Sequence, residues 1–246
     1  MGTTIAISAE ADTAQSALSA IEAGFAAIAQ VEQLMHPSRD GSDLLAIHQA
    51  PCGRPIGVHA WTWQVLALSQ RLNHASEGAF DPCLADRAGR FADLELAPQC
   101  CVISHLPVCI DLGGIAKGFA VDRALAALRA AGCRRGIVNA GGDLAVFGAG
   151  NHGLVVRSQG RDSLVELSNA ALATSNVVNP ARPPEHRGYY HGVDRRVIIE
   201  GSVSVIAATA AVADALTKCV LADRDMARGS LLEVFGARLA ACESGP

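Results

Sequence analysis

The chain has 246 residues, half of them hydrophobic and 18% charged. That balance excludes a disordered segment or a coiled coil and leaves length for a sizeable core without disulfides. A net charge of −4 and an aromatic content of 4% supply neither the basic face nor the stacking platforms that nucleic acid requires.

No apolar run approaches the roughly 18 residues of a membrane span, so no membrane span is expected. The start, MGTTIAISAEADT, has neither a basic region nor the apolar stretch of a signal peptide. The eight cysteines, at 52, 83, 100, 101, 109, 133, 219 and 242, form no CxxC and no zinc spacing. They read as buried free thiols in a reducing compartment. The expectation is a soluble, cytoplasmic protein.

In chain order, residues 3–8 alternate as a short strand, and residues 12–35 carry apolar groups at helical spacing behind an Asp12 cap. HPSRDGSD breaks that helix. Residues 61–76 predict a second helix ended by Gly78, followed directly by the turn signal Phe80-Asp81-Pro82. The chain then reads as irregular to about 107, where VCIDLGG predicts a strand entering a glycine turn. IAKGFAVDRALAALRAAG predicts a helix closed by Gly132. GIVNAGGDLAVFG predicts strand, glycine break, strand, and LVVRS with LVELS a hairpin. Residues 176–190 form the best loop candidate. GSVSVIA predicts a strand, ATAAVADALTKCVLA a buried helix, and DMARGSLLEVF another. Hairpins mixed with strand–helix alternation point to an α+β fold, a single compact domain over residues 1–246 with no linker that would separate a second.

Five segments carry polar groups where chemistry could sit. A literal GxGxxG at Gly148–Gly153 has strands on both sides rather than a following helix, so it predicts a glycine-rich hairpin turn and no nucleotide site. Residues 110–118, IDLGGIAKG, place a carboxylate at a strand end, two glycines, and a lysine at a helix start. Glycines permit close backbone approach, a helix start favours anions, and Lys117 suits phosphate. An ordinary strand–helix turn explains the same letters equally well. Residues 138–143, VNAGGD, repeat the theme, with a β-bulge and a capping Asp as the plain reading. Asp214 lies in an apolar helix and needs a partner or a metal; Thr217 and Lys218 share its face at i+3 and i+4. An internal Asp–Lys ion pair is the plain reading there. His191, in YYHGVDRR, stands alone and gains meaning only from its neighbours.

Taken together, these segments resemble the flavin transferases of the ApbE type, FAD:protein FMN transferases, over nearly the whole chain and in order. The resemblance runs from Met1-Gly2-Thr3 through Ser42-Asp43-Leu44 and Gly78-Ala79-Phe80-Asp81-Pro82 to Asp111–Gly118 and Ala120-Val121-Asp122. It continues through Val138–Leu144, Ala173-Thr174-Ser175, His191 with Asp194, Ser202–Val205 and Ala213–Thr217. It implies an enzyme that cleaves FAD, places FMN on a Thr or Ser hydroxyl of an acceptor flavoprotein, and releases AMP. It also implies that Met1, Ala79, Phe80, Asp81, Asp111, Lys117 and Val193 contact FAD. Gly114 (through its carbonyl) and Asp214 match Mg²⁺ ligands, with Thr217 and Lys218 at the neighbouring metal positions, and His191 matches the base for the attacking hydroxyl. Asp214 counts with His191 as catalytic.

The chain departs from the family pattern in four respects. Many members carry Thr four residues after the metal-binding Asp, where this chain has Lys218, with Thr217 one place earlier; an ammonium there either stands in for the metal or repels it. A Tyr beside the flavin in some relatives is Ser38 here. The Asp-Pro after the histidine reads Asp194-Arg195. Most relatives are exported, so a trimmed leader would make this a periplasmic protein. Two other activities fit the same letters: an FAD-binding carrier without transfer, and a Mg²⁺-dependent FAD pyrophosphatase.

Overall fold

A computed structural model describes residues 2–84, 89–158, 161–177, 201–223, 225 and 230–243. Strand β1 (Ile5–Glu10) leads into the long helix α1 (Ala14–Met35), which buries Ala20, Gly24, Ile28, Val31 and Met35 along one stripe. Its N-cap is Thr13, one residue beyond the Asp12 expected. Thr13 is extended and its hydroxyl accepts from the Ser16 N–H at 3.1 Å, while Asp12 instead pairs with Arg134 at 2.8 Å. The short α2 (Asp43–Gln49), β2 (Ile56–Gly57) and α3 (Ala60–Ala75) follow.

The stretch expected to be irregular up to 107 instead holds a 3-10 turn at Phe91–Asp93 and two strands, β3 (Leu94–Ala97) and β4 (Cys101–Ser104). With β2 these strands make a small antiparallel sheet. Alternating burial in β4, with Val102 and Ser104 inward, is too brief to stand out as periodicity. Conversely, VCIDLGG is not a strand. Ile110 makes one bridge to Cys83, and its N–H goes to His48 Nε2 at 2.9 Å. The Asp111 N–H goes to the Pro82 carbonyl at 2.8 Å.

Helix α4 (Ala116–Ala130) opens there, and β5 (Arg135–Ala140) and β6 (Asp143–Phe147) follow as a hairpin. Ala140 opposes Asp143, so Gly141 and Gly142, both at positive φ, form a two-residue turn rather than a bulge. Among the described residues, the strands β7 (His152–Ser158) and β8 (Arg161–Leu167) pair only with each other. The GxGxxG therefore turns the chain from one sheet to another instead of closing a hairpin. β9 (Ala171–Asn176), β10 (Ser202–Ala207), α5 (Ala210–Ala222), α6 (Leu231–Val234) and β11 (Arg238–Glu243) complete the described elements. The last predicted helix, residues 225–235, is described only in part and there holds α6, and α2, β2, β9 and β11 are additions.

Six strands form one antiparallel sheet in the order β1-β5-β6-β9-β10-β11. Its central strands are buried on both faces, which is why DLAVF and SVSVIA read as continuous runs. On one face Ala145, Phe147, Ala171, Ala173, Val203 and Val205 join the helices in the main core. On the other, Leu144, Val146, Leu172 and Ile206 meet Val156 and Leu167 of the β7–β8 hairpin. The fold is thus α+β in three layers: helices, sheet, hairpin. Each fully buried Leu or Val here contributes about 1.5–3 kcal/mol, and these contacts fix the register that aims Asp143 at the helices, on the same face as Ala145 and Phe147.

Candidate active site

Helices α4 and α5 cross where neither has a bulky side chain. A Cβ on Gly118 would stand 2.2 Å from the Ala210 carbonyl oxygen, so only glycine allows the approach. Each helix lends a carboxylate to the start of the other. Asp122 of α4 accepts the Ala210 and Ala211 N–H groups at 2.8 and 2.9 Å, beside the Thr209 cap. Asp214 of α5 accepts the Gly118 N–H at 3.2 Å. Helix starts favour negative charge, so both contacts have the right sign.

Around Asp214 the charges concentrate. Lys218, one turn along α5, places its ammonium on Asp214 Oδ1. Lys117 Nζ lies 3.5 Å from Asp214 Oδ2 and donates to Asp143 Oδ2 at the start of β6. Asp214 and Asp143 are 0% and 1% exposed, whereas the lysine side chains keep 11% and 29%. The carboxylates are therefore shut off from water, and of the four side chains only the two lysines keep contact with it. Asp143 Oδ1 is buried with no hydrogen-bond partner. Burial raises the Asp143 carboxyl to about 6, Asp214's charge adds to that rise, and the two lysines oppose it. Removing such groups from water costs several kcal/mol per ion, and apolar residues of the same volume usually hold a fold as well. Stability alone does not account for this cluster.

The wall is built from the glycine turn and the Phe80 segment. Asp111 Oδ1 accepts the Gly113 N–H at 2.7 Å, an Asx turn that presents Gly114. A methyl on Gly114 would meet Lys218 Cγ at 3.6 Å, Lys218 Cε at 3.7 Å and Phe80 Cε2 at 3.7 Å. The Lys218 stem therefore runs alongside Gly114 on its way to Asp214. Phe80 is held at both backbone atoms, its N–H donating to Ser76 Oγ at 3.0 Å and its carbonyl accepting from Asn73 Nδ2 at 2.8 Å. Asp81 Oδ1 accepts the N–H groups of Cys83 and Phe91 at 2.8 and 3.3 Å, fixing the turn. His48, behind the turn, has its imidazole shifted below its ordinary value chiefly by burial, and its Nε2 acts as an acceptor.

Of the residues singled out in the sequence, the structure brings together Phe80, Gly114, Lys117, Asp214 and Lys218. Asp111 and Asp81 shape the adjoining turns, and Ala79 is half-buried between Gly78 and Phe80. Thr217 Oγ1 lies 2.6 Å from both the Asp214 carbonyl and Ser175 Oγ, tying α5 to β9. Ser38 is exposed, with its N–H on His36 Nδ1 at 3.2 Å. Met1, His191 and Val193, and the loop candidate 176–190 from residue 178 onward, lie outside the described residues. Asp143 is the site residue that sequence reasoning passed over in favour of a capping role. Its signal was the period of two, which puts it on the face of Ala145 and Phe147.

A magnesium ion on Gly114 and Asp214 does not fit this donor set. Mg²⁺ asks for near-octahedral oxygen ligation. Here Asp214 Oδ1 carries the Lys218 ammonium, and Oδ2 faces Lys117 and the Gly118 N–H. Among the described residues, no group of three or more His, Cys, Asp or Glu side chains is placed to hold a metal.

A sequence model of the ApbE family matches residues 1–91 and 84–233. No curated protein matches the chain. Among solved structures, the flavinyl transferase ApbE of Pseudomonas stutzeri has a TM-score of 0.79 at 19% identity, covering 96% of this chain and 87% of that one. The flavin transferase ApbE of Vibrio cholerae has 0.77 at 20%, covering 96% and 89%. An ApbE protein of Thermotoga maritima has 0.76 at 21%, covering 99% and 94%. These likenesses establish the fold.

Proposed function

The chain belongs to the ApbE family, and we propose that it is a flavin transferase, moving FMN from FAD to a Thr or Ser hydroxyl of an acceptor protein. The acceptor oxygen forms a bond to the phosphorus on the FMN side of the diphosphate. The bond from that phosphorus to the bridging oxygen breaks, and AMP leaves with the bridging oxygen. The hydroxyl proton passes to a base, a role the resemblance gives to His191.

The observation that supports this reading is the pair of ammonium groups, Lys117 and Lys218, set over buried carboxylates beside the Gly113-Gly114 turn. Phosphoryl transfer asks mainly for charge neutralisation and positioning. Both lysines can donate to diphosphate oxygens, while Asp143 and Asp214 beneath them fix where the ammonium groups stand. Phe80, held by Ser76 and Asn73, offers an apolar edge at the same turn.

Intact-mass spectrometry of a purified acceptor domain incubated with the protein and FAD tests the proposal. The expected product gains the mass of FMN less water, and Lys117→Ala lowers its rate by about 10²-fold or more. AMP release with no gain in acceptor mass would replace transfer by hydrolysis. Bound FAD with neither product would leave a carrier.

A further inference from the structure

We propose that the ammonium of Lys218 takes the place of a divalent cation, so that Lys117 and Lys218 hold the FAD diphosphate without a metal ion. The inference rests on the flavin reading above and goes beyond it by assigning the charge that neutralises the phosphates. Three observations carry it. The Lys218 ammonium occupies Asp214 Oδ1, the oxygen a cation would need, and its stem fills the space beside Gly114. Two carboxylates, Asp143 and Asp214, already face two ammonium groups, so an incoming dication would meet two like charges beside carboxylates that are already paired. No third carboxylate, histidine or thiol joins them among the described residues.

The lysine is also pinned. Its side chain is 11% exposed, it lies one turn from Asp214 on α5, and the start of α5 is held by Thr209 and Asp122. A swing outward to admit a metal would break the Lys218 contact with Asp214 Oδ1 and displace the stem packed beside Gly114. A primary ammonium donates three hydrogen bonds. With one directed to Asp214, two remain for phosphate oxygens, the task a metal ion performs by bridging them. The buried carboxylate oxygen left open among the described residues is Asp143 Oδ1, and the Lys117 ammonium already stands on the same carboxylate.

The test measures FAD binding by the full chain, through flavin fluorescence, in EDTA and in excess magnesium chloride. Mn²⁺ binding to the flavin-free protein is followed in parallel by electron paramagnetic resonance. The wild type is expected to bind FAD equally in both media, within about twofold, and to bind no Mn²⁺. Lys218→Thr is expected to bind FAD about tenfold more weakly in EDTA, to regain the loss with magnesium, and to take up Mn²⁺. Lys218→Arg, which keeps the charge, should remain indifferent to metal and guards against a folding defect in the threonine variant. FAD binding by the wild type that strengthens tenfold or more with magnesium, or Mn²⁺ uptake by the wild type, overturns the inference alone. Absence of FAD binding by every variant in both media overturns the flavin reading and the inference with it.

Discussion

At one end of the α4–α5 contact Asp122 receives two backbone N–H groups of α5. At the other end Asp214 receives one backbone N–H of α4 and two lysine ammonium groups. The two carboxylates sit on partner helices, are both sheltered from water, and each neutralises the start of the opposite helix. They differ in what their partners can do. Backbone N–H groups are fixed by the helix and have nothing left to offer a ligand. Lysine ammonium groups carry a full charge, have three donors each, and belong to side chains that keep some contact with solvent. A buried carboxylate closed by backbone is thus a joint, and one closed by side-chain cations is a site.

The strongest way to break this comparison is to separate the two helices. In Gly118→Val the new Cβ would stand 2.2 Å from the Ala210 carbonyl, so both carboxylates lose their alignment together. A loss of more than about 3 kcal/mol in urea unfolding is expected, with FAD binding lost as well. An unchanged unfolding midpoint would show that the helices are not held at this crossing. The next variant acts on one end alone. Asp214→Asn keeps an acceptor for the Gly118 N–H but releases the Lys218 ammonium, and it leaves Lys117 on Asp143 alone. FMN transfer should fall by about 10²-fold or more while stability drops by only about 1 kcal/mol. A larger loss of stability than of activity would make Asp214 a joint like Asp122.

Much of this arrangement was legible in the letters. The period of 3.6 marked α1, α3, α4 and α5, and the polar residues inside apolar runs marked Asp214 and its i+4 partner Lys218. The turn Asp111–Gly114 was legible only in part, because its glycine pair permits close backbone approach but an ordinary strand–helix turn explains the same letters equally well. Asp122 and Asp143 were not legible in role. Each stands where a local reading suffices, a charged face of a helix or the end of a hairpin, and its partner is far away in sequence: Ala210 for the first, Lys117 for the second. The short strands β3, β4 and β9 escaped for a related reason. Four to six residues give period-two alternation too few cycles, and β9 is buried at Ala171, Leu172 and Ala173 in succession.

The smallest effect sharpens the comparison at the joint. Asp122→Ala leaves two helix-start N–H groups without their acceptor and should cost about 2 kcal/mol while FMN transfer at room temperature stays unchanged. Its pH dependence provides a finer check. Burial lifts the Asp122 carboxyl from 3.8 to about 6 against the pull of the two N–H groups. A carboxyl that holds its proton more tightly when folded favours folding below the unfolded value, and that advantage is lost as pH rises through the folded one. Between pH 5 and pH 7 this group should therefore withdraw about 1 kcal/mol from the folded state. Subtracting the urea stability of Asp122→Ala from that of the wild type at each pH cancels the carboxyls and histidines common to both, Asp143 and His48 included. The difference should decline by that amount over the window and lie flat above it. A difference that rises with pH would mean that the N–H groups of α5 outweigh burial and keep Asp122 ionised below its ordinary range.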